Sequence, residues 1–161
     1  MAEYGAVSQV INPGETVSFT LDIDPCRMGL IRHRQGSGSF LLSGWLPGRR
    51  MCACGCGCMN GRNSANYECS FGANIAIATG GTVAPISLAI TIDGATQPTS
   101  VMTVTPAAVG EFFNVSRDMT LSIFANCCET VSVRNVSDQP IQLDNGTITF
   151  SRNDIGRRVC R

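Results

Sequence analysis

Residues 15–23 read ETVSFTLDI. Val17, Phe19, Leu21 and Ile23 recur at every second position, with Ser18, Thr20 and Asp22 between them. Successive side chains of a strand point to opposite faces, so this stretch predicts a half-buried β-strand. The same period runs through PISLAITID at 85–93, with Ile86, Leu88, Ile90 and Ile92 on one face. It returns in RDMTLSIFA at 117–125 with Met119, Leu121 and Ile123, in TVSVRNV at 130–136 and in TITFS at 147–151. Weaker strands are read at 6–11 (AVSQVI), 29–34 (GLIRHR), 39–45 (SFLLSGW), 66–71 (NYECSF) and 74–78 (NIAIA).

The punctuation between these runs suits a β protein. Asn12-Pro13-Gly14, Gly80-Gly81, Asp93-Gly94 and Asn145-Gly146 are turn signals. Asn145-Gly146 fits either a hairpin joining two terminal strands or a bulge within one long strand. Only TPAAVGEFF at 105–113 offers a helical turn, with Thr105 as cap and Pro106 at the first position. Eight to ten short strands with almost no helix give an all-β fold, a jelly-roll β-sandwich.

The chain has 161 residues, the length of one domain. That domain is read over 1–152, with a Cys-rich loop at 46–65 and an Arg-rich tail at 153–161. Twelve basic and twelve acidic residues cancel, and every basic residue is arginine. This balance argues against direct nucleic-acid binding, which draws on a net positive field. Apolar runs are short and interrupted, so no membrane association is expected. The first ten residues, MAEYGAVSQV, lack the charged and apolar regions of a secretory signal. Nine cysteines are many for a chain that stays in a reducing compartment. A protein made in the cytoplasm that later meets the outside, as in a virion or a spore coat, reconciles the two.

LPGRRMCACGCGCMNGRNSA at 46–65 breaks the alternation and reads as a long surface loop. Cys52, Cys54, Cys56 and Cys58 are the candidate metal ligands, since four thiolates can close a tetrahedral zinc site. Their spacing is tighter than paired C-x-x-C knuckles, and on an extended strand they would spread over about 20 Å. Gly55 and Gly57 would permit the loop to fold. Disulfides and free thiols are the competing readings, and no cofactor is expected. Cys69 alternates with Tyr67 and Phe71 and reads as a core thiol. Cys127 and Cys128 are adjacent, so each packs or pairs elsewhere. Cys26 in a loop could reach another loop cysteine, and Cys160 sits in the tail. The tail arginines Arg152, Arg157, Arg158 and Arg161 could grip an acidic partner.

No catalytic residue emerges. The single histidine, His33, lies between Arg32 and Arg34 without a recognisable nucleophile motif. Carboxylates are scattered singly. Gly36-Ser37-Gly38 and Gly80-Gly81 lack the helix and lysine of a phosphate loop and read as turns. Asn114-Val115-Ser116 and Asn135-Val136-Ser137 match the glycosylation sequon. A non-enzymatic scaffold is expected.

Four segments together carry a resemblance: RHRQGSGSFLLSG at 32–44, FGANIAIATGGTVAPISLAITIDG at 71–94, TVTPAAVGEFFNVS at 103–116 and CCETVSVRNVS at 127–137. In this order they resemble a group of small jelly-roll proteins encoded in clostridial genomes and their phages. Those are similar to the C1q/tumour-necrosis-factor-like domains that cap collagen-like spore filaments. The likeness spans roughly residues 6–152. It implies a C1q/TNF-like jelly roll that assembles as a homotrimer. The phage context of that group, with the chain's small size and lack of a long stalk, leads to the expectation of a bacteriophage virion protein, a capsid decoration or head-fibre protein that partners the major capsid protein or another virion component. The alternatives are a phage tail receptor-binding tip and a trimeric spore-surface or cell-surface binding module of a Firmicute. The chain departs from a filament tip in having no Gly-X-Y repeat. Trp45, Phe112 and Phe113 are the apolar residues for which a partner subunit would provide cover.

Overall fold

The computed structural model describes residues 1–26, 29–46, 64–125 and 127–153. The readings placed on 47–63 and on 154–161 lie outside the described residues. The strand read at 85–93 is β7 (Ile86–Ile92), with Ile86, Leu88 and Ile90 buried. The one at 117–125 ends a longer strand, β10 (Phe113–Phe124), with Leu121 and Ile123 buried. The strands read at 66–71 and 74–78 are one continuous strand, β6 (Ser64–Ile77), whose odd-numbered residues from Ala65 to Ile77 face inward. Because Ser64 already belongs to β6, the Cys-rich interruption ends before residue 65. The 6–11 stretch falls instead on two strands, β1 (Ala2–Ala6) and β2 (Gln9–Ile11), separated at Val7-Ser8.

The remaining strands are β3 (Leu21–Asp24), β4 (Ile31–His33), β5 (Ser39–Ser43), β8 (Ala95–Thr96), β9 (Met102–Val104), β11 (Cys128–Asn135) and β12 (Ile141–Arg152). They build a jelly-roll β-sandwich of two six-stranded antiparallel sheets. The first runs β10-β6-β12-β1-β3, with β2 also on β12. The second runs β4-β5-β11-β7-β8, with β9 also on β7. Asn145-Gly146 is a bulge inside β12, where the register shifts between Asp144 and Thr147 and Asn145 takes a φ of 51°. TPAAVGEFF forms no helix. The Glu111 carboxylate there accepts the N–H groups of Ala107 and Ala108 and closes a turn. A short 3-10 turn, Pro98–Ser100, appears where none was read. Its buried Ser100 hydroxyl donates to the Ile90 carbonyl and accepts the Ile90 N–H, capping the strand edge it covers.

ETVSFTLDI does not form one half-buried strand, because it changes sheets. Its first half lies beside β11: the N–H of Val17 donates to Val133 O, and Thr16 is bridged to Arg134. The chain then crosses to the first sheet, where Thr20 N–H donates to Gly5 O and Leu21 pairs with Gly5. Val17 and Phe19 therefore plug the core, while Leu21 and Ile23 emerge on the outside at 50% and 55% exposure. Such corner strands are how two sheets of a sandwich are stitched together. The crossing needs Gly38, since a Cβ there would overlap Thr16 and Val17.

Between the sheets lies a single apolar core. Tyr4, Tyr67, Phe19, Phe40, Phe71 and Phe150 are its largest members, surrounded by Ile and Leu from both sheets. Phe40 meets Tyr4, Phe19 and Phe150 with ring centroids about 5 Å apart and tilted planes, the preferred aromatic geometry.

Candidate functional site

The outer face of the first sheet is the most distinctive surface. Its β10, β6 and β12 positions are small and polar: Ser116, Ser122, Asn66, Ser70, Asn74, Thr147 and Thr149. Glu3, Glu68, Asp118 and Asp144 add four carboxylates to this face, and no arginine among the described residues stands on it. Toward β3 the face turns apolar. Val7, Val10, Leu21 and Ile23 are all exposed there, and a Cβ at Gly5 would crowd Leu21 and Ile23 at 3.3 Å, so the glycine leaves them room over the sheet.

At the opposite side, β10 forms a long edge. It pairs only with β6, so the backbone groups along its other side join no ladder among the described residues. Unpaired edges of this length invite another chain or a cover. The edge and its neighbouring turns carry exposed Val101, Val109, Phe112 and Phe124. Arg117 occupies an inward position by parity, yet it is exposed at this rim and makes no ion pair with a described residue. Of the residues expected to need cover, Phe112 is 47% exposed, Phe113 is half-buried, and Trp45 is already packed against the core.

One end of the sandwich carries Cys127 and Cys128. Leu46 and Ser64, which bracket 47–63, lie beside the β10–β11 connection, where Ser64 pairs with Phe124 and Cys128 with Ser43. The candidate ligands Cys52, Cys54, Cys56 and Cys58 themselves lie outside the described residues. Cys127 and Cys128, each expected to pack or pair elsewhere, are exposed free thiols. Cys26 and Cys69 are buried free thiols. Burial, helped by the Asp118 charge, pushes the Cys69 thiol up to about 12, so it is a core group and not a nucleophile. Gly44 sits at this end because a Cβ there would overlap the Phe124 carbonyl, and its N–H donates to Cys127 O at 2.7 Å.

Two residues read as surface groups are structural. Arg152 is buried, donates to the Trp45 carbonyl and lies over the Tyr67 ring at 5.4 Å, so its guanidinium is held within the fold. Asn135 is fully buried. Its Nδ2 donates to Ile11 O and Gln139 O at 2.9 Å each, and its Oδ1 accepts Ser137 N–H at 2.8 Å. The second sequon is thereby closed to a glycan, while Asn114 stays exposed and donates to Asn74 Oδ1. Nothing in the local sequence of Asn135 separates it from Asn114; only the return of Ile11 from over a hundred residues away does.

His33 is also integral to the fold. Its side chain is 2% exposed and stacks on Phe40 at 4.6 Å with planes 20° apart. Nδ1 lies 3.1 Å from Asp22 Oδ1 and Nε2 lies 3.2 Å from Ser37 O. The nearest charge to the ring is therefore Asp22, across the seam, while Arg32 turns outward and donates to Gly29 O.

No family model matches the chain, and no curated protein matches it. Among solved structures, the chain is similar to the sugar-binding C-terminal domain of EclA at 14% identity and a TM-score of 0.33. That match covers 54% of this chain, which spans 59% of that domain. It is similar to a family 35 carbohydrate-binding module from Clostridium thermocellum at 13% identity, covering 91% and 90% of the two chains with a TM-score of 0.33. It is also similar to the CBM22-1 xylan-binding domain of Paenibacillus barcinonensis Xyn10C at 12% identity, covering 94% of each chain with a TM-score of 0.34. Superposition this loose carries nothing about what the present chain binds.

Proposed function

We propose that the chain is a non-enzymatic structural protein of a bacteriophage virion, a homotrimer that serves as a capsid decoration or head-fibre protein. The observation that carries the assembly half of this reading is the mismatch between edge and face on one subunit. The β10 edge offers Arg117, exposed valines and phenylalanines, and unpaired backbone groups. The outer face of the first sheet offers carboxylates, small polar side chains and the Val7, Val10, Leu21, Ile23 patch. An edge of one copy against the face of the next is a heterologous contact, which closes into a ring when three such rotations complete a turn. The virion setting rests on the resemblance of the four quoted segments.

The scaffold half is supported by the use of the reactive groups. Both ring nitrogens of His33 are occupied by structural partners, and Cys69 is held as a thiol inside the core. The test sets binding to purified phage capsids against hydrolysis of glycan, ester and peptide libraries. Saturable binding at threefold or pseudo-threefold capsid positions without turnover is expected. Turnover abolished by His33→Ala would overturn the scaffold reading. Binding to host cells but not to capsids would move the protein to a tail tip.

A further inference from the structure

The two oxygens that meet His33 are both acceptors: the Asp22 carboxylate and the Ser37 carbonyl. A neutral imidazole carries one donor nitrogen and one acceptor nitrogen. In that form it satisfies one oxygen and sets a lone pair against the other. The doubly protonated ring donates to both. The ring is sealed from water by Tyr4 and Phe40 while the Asp22 side chain is 37% exposed, so the carboxylate keeps solvent in reach and the cost of the neutral form falls on the buried ring nitrogen whose lone pair faces an oxygen.

We infer that His33 is a proton-operated latch across the open side of the sandwich. Asp22 lies on β3, the outermost strand of the first sheet, and His33 on β4, the outermost strand of the second. The protonated ring ties these two edges together and fixes the Ser37 turn beneath the crossing segment. That segment depends on the same turn: Phe19 N–H donates to Ser37 O, and Gly36 N–H donates to Phe19 O. β3 has few other holds, since its ladder to β1 is short and shifted in register and its Leu21 and Ile23 face outward. Loss of the ring proton to water leaves one of the two bonds unmade and loosens the seam that covers Tyr4, Phe19 and Phe40.

Among the described residues, the charged and titratable groups around the ring are few. Asp22 faces it from β3, and the Tyr4 ring packs on it from β1. From β5 only Phe40 meets it. Arg32 on its own strand and Arg34 just beyond it are exposed, and Asp24 lies two residues along β3 opposite Glu3. The Asp22 carboxylate is thus the partner that makes the latch depend on the proton. An amide in its place, through Asp22→Asn, would donate to a neutral Nδ1 while Nε2–H serves Ser37 O. The same amide can turn its oxygen toward a protonated ring, so the variant satisfies both forms.

The experiment is amide hydrogen exchange on the full chain at about pH 5 and about pH 8, corrected for intrinsic exchange. Protection of Phe19, Thr20 and Gly36 should fall about tenfold between the two, the scale of one lost charge-assisted bond, while the β6–β10 ladder is unchanged. Asp22→Asn should abolish the difference. Equal protection at both pH values in the wild type, or the same fall in Asp22→Asn, overturns the latch. Should that variant not fold, nitrogen resonances of the His33 ring decide the matter. A ring that loses a proton with both contacts intact overturns it, and a ring that loses one contact on deprotonation upholds it.

Discussion

Asn135→Ala removes a side chain that makes three hydrogen bonds inside the molecule. The Ile11 carbonyl is left fully buried without its partner, a loss of about 2 kcal/mol. Gln139 O and Ser137 N–H are part-buried and recover some hydration, at about 0.5–1 kcal/mol each. A destabilisation of about 3 kcal/mol follows, large for one amide because it pins β2 to the β11–β12 turn. Asn135→Asp, nearly identical in shape, places a carboxylate against two carbonyl oxygens and should be worse than alanine near neutral pH. Acid should relieve part of that excess by restoring one donor. The assay is urea unfolding at fixed chain concentration, because association would otherwise shift the midpoint. A loss under about 1 kcal/mol for Asn135→Ala, or neutral-pH tolerance of Asn135→Asp, would refute the assigned network.

Gly44→Ala should cost about 2 kcal/mol, because its Cβ would overlap the Phe124 carbonyl and the β10–β11 connection must shift; thermal unfolding reads this directly. Cys69 is raised in the folded chain from 9.0 to about 12, so its contribution to stability is complete below pH 9. As pH rises from there toward 12 the unfolded thiol ionises while the folded one resists, and that contribution is lost. Comparing urea midpoints of wild type and Cys69→Ala through this range should show the steeper decline in the wild type.

Period-two alternation was a sound guide wherever a strand stays in one sheet, as at Ile86–Ile92 and Leu121–Ile123. It misled at Leu21 and Ile23 because alternation reports which side chains share a face, and a strand that changes sheets exchanges core for solvent while keeping its period. Asn145-Gly146 was ambiguous for a similar reason. A left-handed residue serves both a two-residue hairpin and a bulge, and the pairing of β12 with β6 on both sides of it decides the matter. The burial of Asn135, Arg152 and His33 was not legible, since each is fixed by partners distant in the chain: Ile11, Trp45 and Asp22. The exposed β10 edge was equally hidden, because its sequence looks the same whether one neighbour or two flank it.

The assembly is tested most directly by the mass of the particle in solution. Multi-angle light scattering at micromolar concentration should give three chains for the wild type. Arg117→Glu, which places a like charge against the acidic face of the next subunit, should give a folded single chain. A wild type that remains a single chain at that concentration would contradict the trimer and the edge-on-face contact proposed for it.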